Sequence, residues 1–171
     1  EKIQELINSG ARGLILDLRD NLGGTLDDAV EVCDLFLDEG IIVTIKGRTE
    51  NKEITEHASK GGYTDIPLVV LINGFSASAS EVVAGALRDN DRATLVGEKS
   101  FGKGFVQTLR ELSDGSGIKF TTAKYFLPLG SFIDGVGIEP DIPVEPELDA
   151  EEDIQLNRAI EEVEALISKK E

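Results

Sequence analysis

The stretch that decides the fold is residues 67–81, with the sequence PLVVLINGFSASASE. Its first six residues form an apolar run with β-branched side chains, which predicts a strand buried on both faces of a sheet. Small residues follow at once, and a helix is predicted from Glu81 to about Arg88. A buried strand that turns directly into a helix is typical of α/β proteins.

Elements on both sides extend this pattern. A helix is predicted after the Gly23-Gly24 turn, capped by Asp27 or Asp28, with the lone Cys33 on its apolar face. We therefore predict an α/β fold with a mixed sheet flanked by helices. Apolar periodicity predicts the remaining elements, which are helices at 1–9 and 154–167 and strands at 13–18, 41–45, 93–97, 105–109 and 118–126.

Residues 1–171 are expected to form one core. The polar residues 46–66 predict a hairpin or a surface excursion. Residues 139–153 contain eight acidic residues, three prolines and no basic residue, which predicts an exposed connector to a C-terminal helix at 154–170. The chain begins at Glu1 and contains no methionine, so we expect a processed or excised piece of a longer product.

Composition excludes several classes of protein. The formal net charge of −16 would repel phosphate backbones, so no nucleic-acid partner is expected. A single cysteine rules out an internal disulfide and cysteine-based zinc or iron–sulfur sites. The sequence contains no run of about 18 apolar residues, which is the length needed to span a membrane.

Three serines compete as a nucleophile at the turn, namely Ser76, Ser78 and Ser80. A hydroxyl at a helix N-terminus lies beside free N–H groups that can stabilise a developing oxyanion. Serines at such a turn are also common helix caps, so spacing alone leaves the choice open.

A serine nucleophile needs a base, and two residues are candidates. His57 is the only histidine, but it falls in the polar 46–66 segment, where a surface position is expected. Lys103 is flanked by glycines and aromatic residues, where a desolvated amine is plausible. Spacing alone does not decide between a pocket lysine and a surface lysine.

Four stretches of the sequence form a linked set of motifs: residues 13–24 (GLILDLRDNLGG), 73–81 (NGFSASASE) with 84–89 (AGALRD), 97–104 (GEKSFGKG) with 106–107 (VQ), and 135–141 (GVGIEPD). In these motifs and in their order, the chain resembles the C-terminal processing peptidases, also called tail-specific proteases. Such a resemblance implies a ClpP/crotonase-like core and a serine protease with a Ser–Lys dyad. The family usually has a proline before the paired glycines, where this chain has Leu22.

The same resemblance implies a role for individual residues. The nucleophile falls on Ser78 and the general base on Lys103, while Gln107 is similar to the residue that orients the lysine. Ala79 N–H and an N–H of the Gly23-Gly24 loop resemble the oxyanion hole. Asp89, near the end of the helix that follows Ser78, matches a position that supports the family's active site.

The function implied is a serine endopeptidase core that cleaves the C-terminal regions of protein substrates with apolar tails. No cofactor and no metal are implied, and the setting is extracytoplasmic or membrane-associated, such as a chloroplast lumen. Family members carry a PDZ domain ahead of the core, so we expect a core truncated on its N-terminal side. An exposed sheet edge could then allow a homo-oligomer.

Two alternatives use a similar architecture. One is a catalytically silent peptide- or lipid-binding module of the same fold, such as the retinoid-binding repeats. The presence of Ser78, Lys103 and Gln107 together argues against it. The other is a crotonase-type acyl-CoA enzyme, which the charge of −16 makes less attractive because coenzyme A is anionic.

Overall fold

A computed structural model describes residues 1–47, 53–59, 61–146 and 152–170. Within these ranges, no helix is both long and apolar enough to cross a bilayer. The elements in chain order are α1 (Lys2–Asn8), β1 (Leu14–Asp17), α2 (Leu26–Asp34), β2 (Ile41–Gly47), β3 (Glu53–His57), β4 (Leu68–Ile72), α3 (Ala79–Asp89), β5 (Thr94–Gly97), β6 (Phe105–Glu111), β7 (Gly117–Phe126), β8 (Ile142–Pro143) and α4 (Ile154–Ser168).

The described strands form two four-stranded sheets. One sheet is parallel with the order β1-β4-β5-β8, and the other is antiparallel with the order β3-β2-β7-β6. The predicted α/β class, with both kinds of strand and flanking helices, is confirmed. The two kinds of strand lie in separate sheets.

Strand β4 lies at the centre of the parallel sheet, and all of its side chains are buried. Leu68, Val70 and Ile72 belong to the core that α2 and α3 cover. Val69 and Leu71 alternate to the opposite face and pack against α4. Helices on both faces explain why this strand has a continuous apolar sequence instead of an alternating one.

The start of α2 differs from the prediction. Its N-cap is Thr25, whose hydroxyl accepts a hydrogen bond from Asp28 N–H at 3.1 Å. The Asp28 carboxylate accepts in return from Thr25 N–H and from the Thr25 hydroxyl. Capping by Asp27 or Asp28 is therefore wrong, because Asp28 is the third residue of a reciprocal capping box. Its bonds with Thr25 lower the pKa of Asp28.

Two polar segments contain strands. Of the hairpin or surface excursion predicted at 46–66, the structure shows β3, which pairs in antiparallel fashion with β2, a strand that begins before this segment. Residues 48–52 and 60 lie outside the described residues. The connector predicted at 139–153 contains β8, which pairs in parallel with β5, and its residues 147–151 are not described. This segment therefore also completes the parallel sheet, which its acidic composition does not reveal.

Candidate active site

Ser78 lies in a sharp turn between β4 and α3, at the N-cap of the helix. Its backbone angles are φ 58° and ψ −116°, which a residue with a side chain rarely adopts. Such a conformation costs about 1–3 kcal/mol and persists only where the surroundings enforce it. A strained strand-to-helix turn is also how a nucleophilic serine is exposed above a sheet.

The two neighbouring serines have structural partners. Ser76 is buried, and its hydroxyl donates to Leu18 C=O at 2.7 Å and accepts from Asn73 N–H at 2.9 Å. The Ser80 hydroxyl donates to Asn21 C=O at 3.0 Å. Both hydroxyls therefore tie the turn to the loop after β1. The half-buried Ser78 is left as the candidate nucleophile.

Gly23 packs directly against the turn that carries Ser78. A Cβ atom on Gly23 would lie 2.6 Å from Ala77 C=O and 2.8 Å from Ala79 N, and its φ is +93°. Only glycine allows this close approach. The loop after β1 and the first residues of α3 are consequently in contact.

The candidate oxyanion donors differ in availability. Gly23 N–H already donates to Asn21 Oδ1 at 2.9 Å. Gly24 N–H and Ala79 N–H donate no hydrogen bond within the described residues. The geometry therefore favours Gly24 and Ala79 over Gly23 as donors to a developing oxyanion.

Glu81 is fully buried in the first turn of α3. Among the described residues, no basic side chain pairs with it. Its Oε1 accepts from the Ser100 hydroxyl at 2.5 Å and Gly102 N–H at 2.7 Å, and its Oε2 accepts from Ser78 N–H and Lys103 N–H, both at 2.8 Å. Four donors satisfy a carboxylate that would otherwise be costly to bury. The backbone N–H groups of Ser78 and Lys103 thus donate to the same oxygen atom, Glu81 Oε2.

Glu81 falls within one of the four stretches that carry the family resemblance, but the sequence predicts no role for it. The available signal was its spacing, because Ser78 and Glu81 have the S-x-x-E separation of a capping box. The contact with the loop at 100–103 could not be read from local spacing, because it joins residues about twenty positions apart.

Lys103 lies half-buried in the loop between β5 and β6. In the part of the chain that the structure describes, its side chain forms no ion pair, and no hydrogen bond joins its Nζ to Ser78 Oγ. Gln107 is exposed on β6, next to a register shift after Val106, and does not bond to Lys103. His57 is exposed at the end of β3, as expected of a surface histidine.

Asp89 lies at the other end of α3, roughly 16 Å from Ser78 by the rise of a helix. Its side chain is 1% exposed and pairs with Arg88 at 2.8 Å. The second carboxylate oxygen accepts from Leu129 N–H at 3.2 Å. An aspartate at a helix end is commonly solvated, whereas this one anchors the chain that follows β7.

A largely apolar cavity of about 340 Å³ opens beside the turn. Gly23, Gly24 and Ala79, the residue after Ser78, line this cavity together with a few polar residues, which are Asp17, Asn21, Asp28 and Ser80. A cavity of this kind suits one apolar side chain of a bound polypeptide. Its apolar walls are Leu16, Leu18, Ala29, Val32 and Val83. No group of three or more His, Cys, Asp or Glu side chains in the described ranges is placed to hold a metal ion.

Comparison with known proteins decides the family. The model of peptidase family S41 matches residues 1–144. The chain belongs to peptidase family S41. This S41 chain is 52% identical over 138 residues to a carboxy-terminal-processing protease of Bartonella bacilliformis, covering 80% of this chain and 32% of that protein.

A plant relative and a solved structure agree with this placement. The S41 chain is 45% identical over 140 residues to the chloroplastic carboxyl-terminal-processing peptidase 1 of Arabidopsis thaliana, covering 81% of this chain and 29% of that protein. The solved photosystem II D1 C-terminal processing protease has a TM-score of 0.77 and 39% identity, covering 91% of this chain and 40% of that chain. The S41 chain thus spans about a third of the length of the curated relatives it matches.

Proposed function

We propose that this chain is the catalytic core of a serine endopeptidase that cleaves the C-terminal regions of protein substrates. The observation that carries the proposal is the strained turn at Ser78, with the Gly24 and Ala79 amides beside it. These groups suit attack on a peptide carbonyl, because the nucleophile can reach the carbonyl carbon while the two amides donate to the carbonyl oxygen.

The chemistry requires a base for the Ser78 proton. Neutral Lys103 takes that proton as Ser78 Oγ attacks the carbonyl, and the ammonium then protonates the leaving amine before water hydrolyses the acyl-enzyme. A shared contact with Glu81 supports this pairing, because it keeps the two backbones together. The Lys103 side chain has to move into reach of Oγ when substrate binds, and Gln107 would then orient it.

Exposed apolar side chains support an apolar substrate. Three apolar side chains are 60% to 67% exposed, namely Leu22, Phe75 and Phe101. They precede Gly23, Ser78 and Lys103 in their loops. The loops are joined by hydrogen bonds, such as Phe101 N–H to Ser76 C=O at 3.0 Å. An unstructured tail with apolar residues would cover this surface and fill the adjacent cavity. Asp89 supports the site indirectly, by fixing the far end of α3.

One other function fits a specific observation. Because no hydrogen bond joins Ser78 Oγ and Lys103 Nζ in the described residues, a catalytically silent peptide- or lipid-binding module of the same fold is the second candidate. We also propose an extracytoplasmic or membrane-associated setting for the parent protein. The chloroplastic designation of the Arabidopsis relative is in line with that setting.

The two functions differ in peptide-bond hydrolysis. An unstructured peptide with an apolar C-terminal segment is incubated with the chain, and its products are identified by mass spectrometry. We expect cleavage by the wild type and by His57→Ala, and none by Ser78→Ala or Lys103→Ala. Peptide binding without cleavage would favour the silent module, and loss of cleavage in His57→Ala would overturn the assignment of Lys103 as the base.

A further inference from the structure

We propose that Arg19 and Asp153 are a pair of positioning residues through which α4 holds the loop at 19–25 in its reactive geometry. This inference rests on the proposed function, because that loop carries the Gly24 amide. It adds a role for α4, which begins after the S41 match ends at residue 144.

The contacts of Arg19 use both edges of its guanidinium group. Nε and Nη2 donate to the Asp17 carboxylate, with the shortest distance at 2.7 Å. Nη1 and Nη2 donate to the two oxygens of Asp153 at 2.9 and 2.8 Å. Nη1 also donates to Gln155 Oε1 at 3.2 Å. The planar fork of the guanidinium group binds two carboxylates at once, so it fixes the orientation of the Arg19 side chain as well as balancing their charge.

The first two residues after Arg19 connect its loop to the nucleophile turn. Asp20 N–H donates to Asn73 Oδ1, and Asn73 Nδ2 donates back to Asp20 Oδ1, both at 3.0 Å. The Asn21 carbonyl accepts from Ala77 N–H and its side chain accepts from Gly23 N–H. A displacement at Arg19 would therefore be transmitted to the amides beside Ser78.

The α4 end of the contact is a firm anchor. Asp153 is the N-cap of α4 and accepts from Leu156 N–H at 2.9 Å. Gln155 is 4% exposed and donates to Val144 C=O at 2.8 Å and to Glu98 at 3.2 Å. The Arg19 guanidinium lowers the pKa of Asp153, so the pair is ionised at neutral pH.

Asp153→Asn separates positioning from helix capping, because asparagine is also a good N-cap but lacks the charge that Arg19 binds. The matched control is Glu162→Gln, which removes a carboxylate and its ion pair with Arg158 from the same helix. A fluorophosphonate probe gives the maximal rate of Ser78 labelling and the probe concentration at half that rate. Amide hydrogen exchange is measured on the same proteins at Ala77 and Gly23, whose N–H groups donate to the carbonyl and the side chain of Asn21.

We expect Asp153→Asn to lower the maximal labelling rate about tenfold with an unchanged half-saturating concentration, and to speed exchange at the Ala77 and Gly23 amides. The control should match the wild type in each readout. Wild-type values for Asp153→Asn in both readouts would overturn the inference. If the wild type is not labelled, the proposed function fails, and amide exchange alone decides the positioning role. Arg19→Lys, which keeps the charge but loses the fork, should reproduce the defect if Asp153→Asn does not fold.

Discussion

Glu81 contributes more to the site than its local role as part of a helix cap. Its carboxylate accepts hydrogen bonds from the Ser78 turn on α3 and from the loop that carries Lys103. Glu81 is fully buried, and all of its hydrogen-bond donors are neutral groups. Hydrogen bonds to a charged acceptor are stronger than those between two neutral groups, so the charge of Glu81 strengthens its hold on both segments.

Glu81→Gln replaces one acceptor oxygen with a donor that faces N–H groups. We expect a loss of about 2–3 kcal/mol in the free energy of unfolding, because hydrogen bonds to a buried charged group are lost and a donor is left unpaired. Denaturant unfolding of the variant and the wild type measures this difference in the free energy of unfolding. The exposed Glu31→Gln on α2 should change stability by no more than about 0.5 kcal/mol. Equal effects of the two substitutions would contradict the assigned role of Glu81.

Gly23 provides a second prediction at the same scale. A Cβ atom there would overlap the backbone of Ala77 and Ala79, so Gly23→Ala should displace the Ser78 turn. We expect the rate of Ser78 labelling by a fluorophosphonate to fall about 100-fold. Gly62→Ala, where a Cβ meets open space, should label like the wild type. A normal rate for Gly23→Ala would show that the close approach is unnecessary.

Among the elements, α2 buries Ala29 and Cys33 in the core, while its other apolar residues are partly buried. Burial raises the pKa of the Cys33 thiol to about 12, with a smaller contribution from Asp34. The thiolate is the reactive form, so the folded protein should not react with Ellman's reagent at about pH 8, and reaction should appear on unfolding. Because the raised pKa favours the neutral thiol, stability should also fall as pH rises above 9.0. Rapid reaction of the folded protein would contradict this burial.

Local sequence patterns predicted those elements in which every residue lies in the same kind of environment. Strand β4 is covered on both faces, so its apolar run was enough to identify it. Strand β8 was missed because two residues within an acidic, proline-containing segment carry no periodicity and depend on pairing with β5. Of the site residues that the sequence predicts, Gln107 is exposed and bonds to neither Ser78 nor Lys103. Glu81 was not predicted, because it acts through a long-range contact that local spacing does not reveal.

At the scale of the whole molecule, an open sheet edge competes with charge repulsion. Strand β6 is an edge of the antiparallel sheet, and its Leu109 is 74% exposed. Such an edge favours pairing with a second copy, whereas the net charge of −16 opposes it. Sedimentation velocity should therefore show a dimer that grows with protein concentration and with salt, and Leu109→Lys should weaken it. A monomer under all conditions would rule out this homo-oligomer.

The most direct measurement of the central claim is the site of covalent labelling by a fluorophosphonate, mapped by peptide mass spectrometry. The proposed chemistry predicts one modified residue, Ser78, and no modification in the Lys103→Ala variant. Modification of Ser76 or Ser80, or labelling of Ser78 that persists without Lys103, would contradict the account of a serine nucleophile served by a lysine base.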